Sequence, residues 1–171
     1  MLADLPLPVV LSTRSGDVGV RRAAASDLPA LIALLSDDPI SAARGDRGGA
    51  EDVEAYSAGL TSVLDAPLND LLVVDAADGT VVGTLQLTVI PGMARRGATR
   101  LLVEAVRVSS SVRSGGIGSA VMRWVMHEAA PATGASLVQL TSDAARVDAH
   151  RFYTRLGFVD SHVGFKYSVP S

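Results

Sequence analysis

The chain has 171 residues, 48% of them hydrophobic and 19% charged, with a net charge of −3 at neutral pH. That is enough for one domain with a real core, and it argues against a disordered chain or a globally basic nucleic-acid binder. Cysteine is absent, which excludes disulfides, thiolate metal sites and cysteine nucleophiles and fits a cytoplasmic protein. No apolar run approaches the roughly 20 residues that span a bilayer. The charges are unevenly placed. Residues 37–54 hold Asp37, Asp38, Asp46, Glu51, Asp52 and Glu54 against Arg44 and Arg47, whereas residues 95–123 hold six arginines against Glu104 alone.

Residues 1–17 read as a flexible tail, and residues 18–171 as one mixed α/β domain. Val18–Arg22 alternates weakly and is a candidate first strand. Ser26 and Asp27 are helix-capping types and Pro29 suits a first turn, so Leu28, Leu31, Ile32 and Leu35 predict a helix over 27–36. A glycine-rich loop follows Pro39. Glu51–Leu64 reads as a second helix, with Val53, Tyr56, Leu60 and Val63/Leu64 on one face. Leu71–Asp75 and Thr80–Val89 flank the hairpin signal Ala77-Asp78-Gly79. After a basic turn over residues 91–97, Arg100–Val108 completes a three-strand meander. Ile117–Ala130 is a helix burying Ile117, Val121, Trp124 and Val125. Leu137–Leu140 is a short central strand. Val147–Leu156 is a helix stopped by Gly157, and Phe158–Val159 and Phe165–Val169 supply one or two closing strands.

The segment from Val106 to Ser119 carries the most chemical information. An apolar strand enters a serine hinge, then Arg113-Ser114-Gly115-Gly116-Ile117-Gly118-Ser119 opens a helix. That order aims several N–H groups and a helix dipole at one point, which suits a phosphate. A glycine turn used only for chain reversal remains the plainer alternative. The dinucleotide pattern fails because the third glycine is missing, and the Walker pattern fails because no lysine follows.

Arg113-x-x-Gly116-x-Gly118 resembles the R/Q-x-x-G-x-G/A element of the GNAT N-acetyltransferases. The run from Ala149 to Phe158, which carries Phe152-Tyr153 and ends in Leu156-Gly157-Phe158, resembles that family's second signature. The resemblance covers residues 18–169. It implies a central, mostly antiparallel twisted sheet of six to seven strands flanked by about four helices and splayed at the glycine-turn strand. It further implies acetyl-CoA as cosubstrate and transfer of its acetyl group to an amine by direct attack in a ternary complex. On that basis the N–H groups of Ser114, Gly115, Gly116, Ile117, Gly118 and Ser119 hold the pyrophosphate. Arg113 pairs with a phosphate or supports the loop. Val106 and Val108 offer backbone groups to the pantetheine arm. Arg146 and Arg151, on or near the last helix, are candidates for the adenosine phosphates or are simply solvated.

Acetyl transfer to an amine needs a base for the amine and an acid for the departing thiolate. Glu104 is the candidate base, acting through a water. It lies in the apolar run Leu101–Val106, and period two places it on one face with Val106 and Val108. The alternative is an ion pair with Arg107 or Arg100. Tyr153, at the F-Y tyrosine position of the resemblance, is the candidate acid; its alternative is a core aromatic. His127, His150 and His162 have no ligand spacing, so no metal is expected. The acceptor is expected to be a small-molecule primary amine, with a protein N-terminus as the alternative. The acids of residues 37–54 are candidates to steer it, and Gln86 and Thr88 to face it. The competing functions are a non-catalytic acyl-CoA-binding regulatory module on the same fold and an interaction protein that dimerises through an exposed meander edge. Neither nucleic acid nor membrane is an expected partner.

Overall fold

A computed structural model describes residues 1–170 except Asp38, Arg44 and Arg47, and describes Pro39 by its backbone only. Its frame is a six-stranded sheet in the order β1 (Val9–Thr13), β2 (Gly16–Arg22), β3 (Asn69–Asp75), β4 (Val81–Ile90), β5 (Arg100–Val108) and β6 (Leu137–Leu140). Strands β1 to β5 are mutually antiparallel, and β6 runs parallel to β5. The helices that pack beside it include α1 (Leu28–Ser36), α2 (Pro39–Ala43), α3 (Val53–Leu64), α4 (Ile117–Trp124) and α5 (Val147–Arg155).

The two faces of the sheet bury different cores. On the first face, Leu72, Leu85, Leu87, Leu101 and Val103 pack with Ile117, Val121, Trp124 and Val125 of the α4 segment, the four positions read from the sequence. Burying each large apolar side chain there contributes roughly 1.5–3 kcal/mol. The helix continues past Trp124 as a π turn over Val125–Ala129 and one further turn, Ala130–Ala132. On the second face, Leu31 of α1 and Leu60 of α3 pack on Val73 and Ala23. Of the expected α3 face only Leu60 is buried, while Val53 and Leu64 are exposed.

Both ends of the chain differ from the sequence reading. Residues 1–17 are no loose tail: Leu2 and Leu5 are buried in the main core and Val9–Thr13 pairs with β2. The Arg22 guanidinium donates to the Leu2 carbonyl at 2.6 Å. Gly16, at φ 109, makes the hairpin; Pro6 and Pro8 obscure the strand signal that follows them. At the other end, Phe158–Val159 and Phe165–Val169 form no closing strand. Residues 158–170 carry no regular structure, and Val159 and Phe165 are exposed.

Two irregularities position the site. Pairing of β5 with β6 ends at Val103–Leu140, so β5 runs on for five more residues with no β6 partner. Within that stretch Ala105 has φ 50, a conformation that costs an L-residue roughly 1–2 kcal/mol. Gln86 pairs with Glu104 and Thr84 with Arg107, so two residue steps on β4 face three on β5. This is a β-bulge, and it inverts the strand's facing beyond it.

Candidate active site

The loop after β5 is tied on three sides. Ser109 N–H donates to Val82 O at 2.8 Å. The Asp37 carboxylate, just past α1, accepts from Ser110 N–H at 2.7 Å and Ser110 Oγ at 3.0 Å, and the Asp37 carbonyl accepts from Arg113 Nη2 at 3.3 Å. Arg113 is thereby tied to the end of α1. On the far side the Arg14 guanidinium donates to Ser114 O at 3.0 Å. Gly115 presses against the β1–β2 turn, where a Cβ would collide with Ser15. Ser114 (φ 71) and Gly116 (φ 90) then turn the chain into α4.

The first i→i−4 bond of α4 runs from Ala120 N–H to Gly116 O at 3.0 Å. Among the described residues, the N–H groups of Gly116, Ile117, Gly118 and Ser119 have no protein acceptor. Four donors at the positive end of a helix dipole form an anion cradle. Gly118 closes the inner wall: a Cβ there would sit 3.5 Å from the Phe152 ring and 3.8 Å from Val108. Strand β5, α4 and α5 thus meet where the β5/β6 fork opens. The donor set suits an anion such as a phosphate.

The bulge separates residues that the sequence reading placed together. Glu104 and Arg107 share the face of Gln86, Thr84 and Val73, under α1 and α3. Val106 and Val108 instead pack against the opposite, main core. Glu104 is exposed and makes no ion pair with any described residue, Arg100 and Arg107 included. Gln86 Nε2 and Thr88 Oγ1 on this face both donate to Asn69 Oδ1, at 3.1 and 2.6 Å.

A second group was not assembled from the sequence. The guanidinium groups of Arg107 (β5) and Arg146 (entering α5) both donate to Ser41 Oγ of α2, at 2.8 and 3.2 Å. Ser41 is buried. Arg146, expected at the adenosine phosphates, is thus directed to α2. Tyr153 stands near both arginines, half-buried and edge-on to Phe152 and Phe158 at 5.1 and 5.7 Å. Burial pushes its phenol pKa up, against the opposing pull of the Arg107 and Arg146 charges. The phenol therefore holds its proton at neutral pH, as an acid must. The signal for Arg107 was its place between Val106 and Val108 in an apolar strand; no sequence signal marks Ser41.

Among the described residues no His, Asp and Glu groups gather as metal ligands, and no helix is long and apolar enough to cross a membrane. His150 Nε2 meets the Asp143 carbonyl at 2.8 Å, and His162 Nδ1 meets Ser161 Oγ at 2.8 Å. Asp38, Arg44 and Arg47 of the acidic segment lie outside the described residues.

The chain belongs to the acetyltransferase (GNAT) family, whose model matches residues 31–158. It is 40% identical over 63 residues to an aminoalkylphosphonate N-acetyltransferase of Salmonella typhimurium; the match spans 37% of this chain and 40% of that protein. The structure resembles a transcriptional regulator from Bacillus halodurans C-125, with a TM-score of 0.83 and 35% identity over 89% of this chain and 99% of that one. It shares its fold with glucosamine-6-phosphate N-acetyltransferase from Arabidopsis thaliana, with a TM-score of 0.70 and 17% identity over 90% of this chain and 99% of that one.

Proposed function

We propose that this protein transfers the acetyl group of acetyl-CoA to the primary amine of a small-molecule acceptor, by direct attack in a ternary complex. The observation that carries the reading is the cradle at Gly116–Ser119, four N–H donors without protein acceptors beside an open strand fork. The cradle would hold the pyrophosphate, with Ser114 and Gly115 shaping it and Arg113 bracing it. Val106 and Val108 would line the pantetheine arm. The cosubstrate supplies an activated thioester. Glu104, exposed on the α1/α3 face, would take the amine proton through a water. Tyr153 would protonate the departing thiolate. Holding amine and thioester together supplies much of the rate, because a bimolecular step becomes effectively unimolecular.

The acceptor is proposed to carry an acidic group as well as its amine. Arg107 lies on the Glu104 face two β4 residues further along, about 7 Å at strand spacing. Arg146 joins it at Ser41. Amine at Glu104 and acid toward the arginines gives a short amino acid or aminoalkyl acid, consistent with the aminoalkylphosphonate named for the Salmonella relative. The test is thiol release from acetyl-CoA with matched amines, such as aminoethylphosphonate, β-alanine and propylamine. Turnover with the acidic amines at least tenfold above propylamine is expected; equal rates would remove the acid from the acceptor.

The second reading is an acyl-CoA-binding regulatory module, favoured by the regulator from Bacillus halodurans. Acetyl-CoA binding by calorimetry with no thiol release across the amine panel would select it.

A further inference from the structure

We propose that Gln86 selects primary amines: its side-chain carbonyl takes one N–H of the attacking amine while Glu104 takes the other, and Asn69 holds that carbonyl in place. The inference rests on the reading of Glu104 as the base. Gln86 lies directly across from Glu104 on the neighbouring strand. Side chains opposite each other on one face of an antiparallel pair stand about 5 Å apart at Cβ. On its other side Gln86 meets β3. There Asn69 lies opposite Thr88 and diagonal to Gln86, within reach of both side chains.

One distance fixes the orientation of both amides. Thr88 Oγ1 stands 2.6 Å from the polar end of Asn69. That separation suits O–H···O and is too short for N–H···O, so Asn69 turns its oxygen to Thr88. The same oxygen stands 3.1 Å from the polar end of Gln86. An amide oxygen cannot donate, so Gln86 must present its N–H there. The two polar ends of a primary amide diverge. With the Gln86 nitrogen drawn toward β3, its Oε1 is left to the β5 side, where Glu104 stands. Among the described residues nothing donates to that Oε1. Gln86 is half-buried, so an N–H that reaches its carbonyl meets less competition from water than at an open surface.

Two neighbouring acceptors match one kind of nucleophile. A neutral primary amine attacks through its lone pair, which must point at the thioester carbonyl. Its two N–H bonds then point away, and each needs an acceptor. Glu104, through its water, takes the proton that leaves; Gln86 Oε1 accepts from the N–H that stays. The C–N bond forms, the C–S bond breaks, one amine proton passes to Glu104 and the thiolate takes the proton of Tyr153. A secondary amine has one N–H, which Glu104 consumes. It leaves Gln86 Oε1 facing an alkyl carbon, and a shielded acceptor without a donor is penalised beyond the lost bond. The fixed amide thus discriminates between the two, because Asn69 prevents it from turning its oxygen elsewhere.

Thiol release from acetyl-CoA is measured with aminoethylphosphonate, β-alanine and propylamine, and with the N-methyl analogue of each. The quantity read is the kcat/KM of a primary amine divided by that of its N-methyl analogue. Gln86→Met keeps the side chain's length and removes both polar atoms. The ratio is expected to fall about tenfold in this variant, the usual effect of one such hydrogen bond, with acetyl-CoA affinity by calorimetry unchanged. Comparing ratios cancels the changes in basicity and bulk that methylation brings to parent and variant alike. Asn69→Ala frees the Gln86 amide to turn and is expected to lower the ratio too. Asn69→Asp keeps an acceptor oxygen for Gln86 and Thr88 and is expected to restore it; this pair decides the matter if Gln86→Met fails to fold. A parental ratio in Gln86→Met would overturn the proposal, as would an Asn69→Asp variant no more selective than Asn69→Ala. A parent that acetylates no amine overturns the enzyme reading and this inference together. A parent that acetylates primary amines, with a ratio indifferent to Gln86, overturns the inference alone.

Discussion

At the residue scale, the site divides by what each side chain can reach. Gly116 is fixed by its φ of 90, since an L-residue there costs roughly 1–2 kcal/mol. Gly116→Glu adds a carboxylate at an anion cradle, so its loss should exceed strain alone. Calorimetry should show acetyl-CoA affinity falling at least about tenfold further for Gly116→Glu than for Gly116→Ala. Equal losses would mean that no phosphate sits there. Tyr153→Phe keeps both ring contacts and removes only the hydroxyl. The expected result is kcat lower by about 10²-fold, with acetyl-CoA affinity nearly unchanged. Burial holds the phenol protonated beyond its ordinary range, so no alkaline loss below about pH 10 should trace to it. Glu104→Gln should lower kcat/KM by about 10²-fold while leaving acetyl-CoA binding intact; parental turnover would assign the base elsewhere. Gly116 and Tyr153 were legible because local motif spacing names them. Arg107 and Ser41 were not, because their meeting depends on one residue, Ala105, taking a left-handed conformation that no residue pattern announces.

At the scale of elements, the glycine loop is held by parts distant in the chain. The β1–β2 turn supports it through Arg14 and Ser15, and the end of α1 supports it through Asp37. Gly115→Ala should therefore weaken acetyl-CoA binding several-fold, because the new Cβ meets Ser15 and lies 3.2 Å from Val112 O. Adding Ser15→Gly should restore much of the loss, while Ser15→Gly alone should bind as the parent does. Titration of the three variants reads the coupling, and purely additive losses would deny the contact. The same dependence explains what the sequence reading reached. Strands β2 to β6 and helices α1, α3, α4 and α5 were legible because alternation, capping residues and hairpin glycines are local signals. Strand β1 was missed because Val9–Thr13 is short and follows Pro6 and Pro8. The closing strand expected over Phe165–Val169 does not form, and those residues carry no regular structure, because alternation is a local signal whereas pairing needs an edge within reach.

At the scale of the whole molecule, the sheet has a thick core on the α4 face and a thin one under α1 and α3. A thin layer needs another fastening, and Arg21 supplies it. Its guanidinium donates to both Asp27 carboxylate oxygens at 2.8 and 2.9 Å, and Nε donates to Asp75 Oδ2 at 2.6 Å. This joins β2 and β3 to the turn that starts α1. Asp27 is nearly buried, and Ala24 N–H donates to its Oδ2 at 2.8 Å. The hydrogen bonds from Arg21, with smaller help from Ala24, hold the Asp27 carboxyl below the usual carboxylate range, against the opposing effect of burial. Arg21 itself is raised and stays charged throughout. A group whose pKa is lower folded than unfolded stabilises the fold above its unfolded value, near 3.8, and loses that contribution as pH falls through the folded value. Arg21 remains partly open to solvent, so Asp27→Asn should cost a modest amount, about 1–3 kcal/mol at pH 7. Urea denaturation of parent and variant at pH 7 and pH 3 measures it. The gap between the two should be wide at pH 7 and narrower at pH 3, because acid protonates the parent's carboxylate and leaves the amide as it was. A gap that stays constant across this range would show that packing of α1, and not the charge pair, fastens the layer above the site.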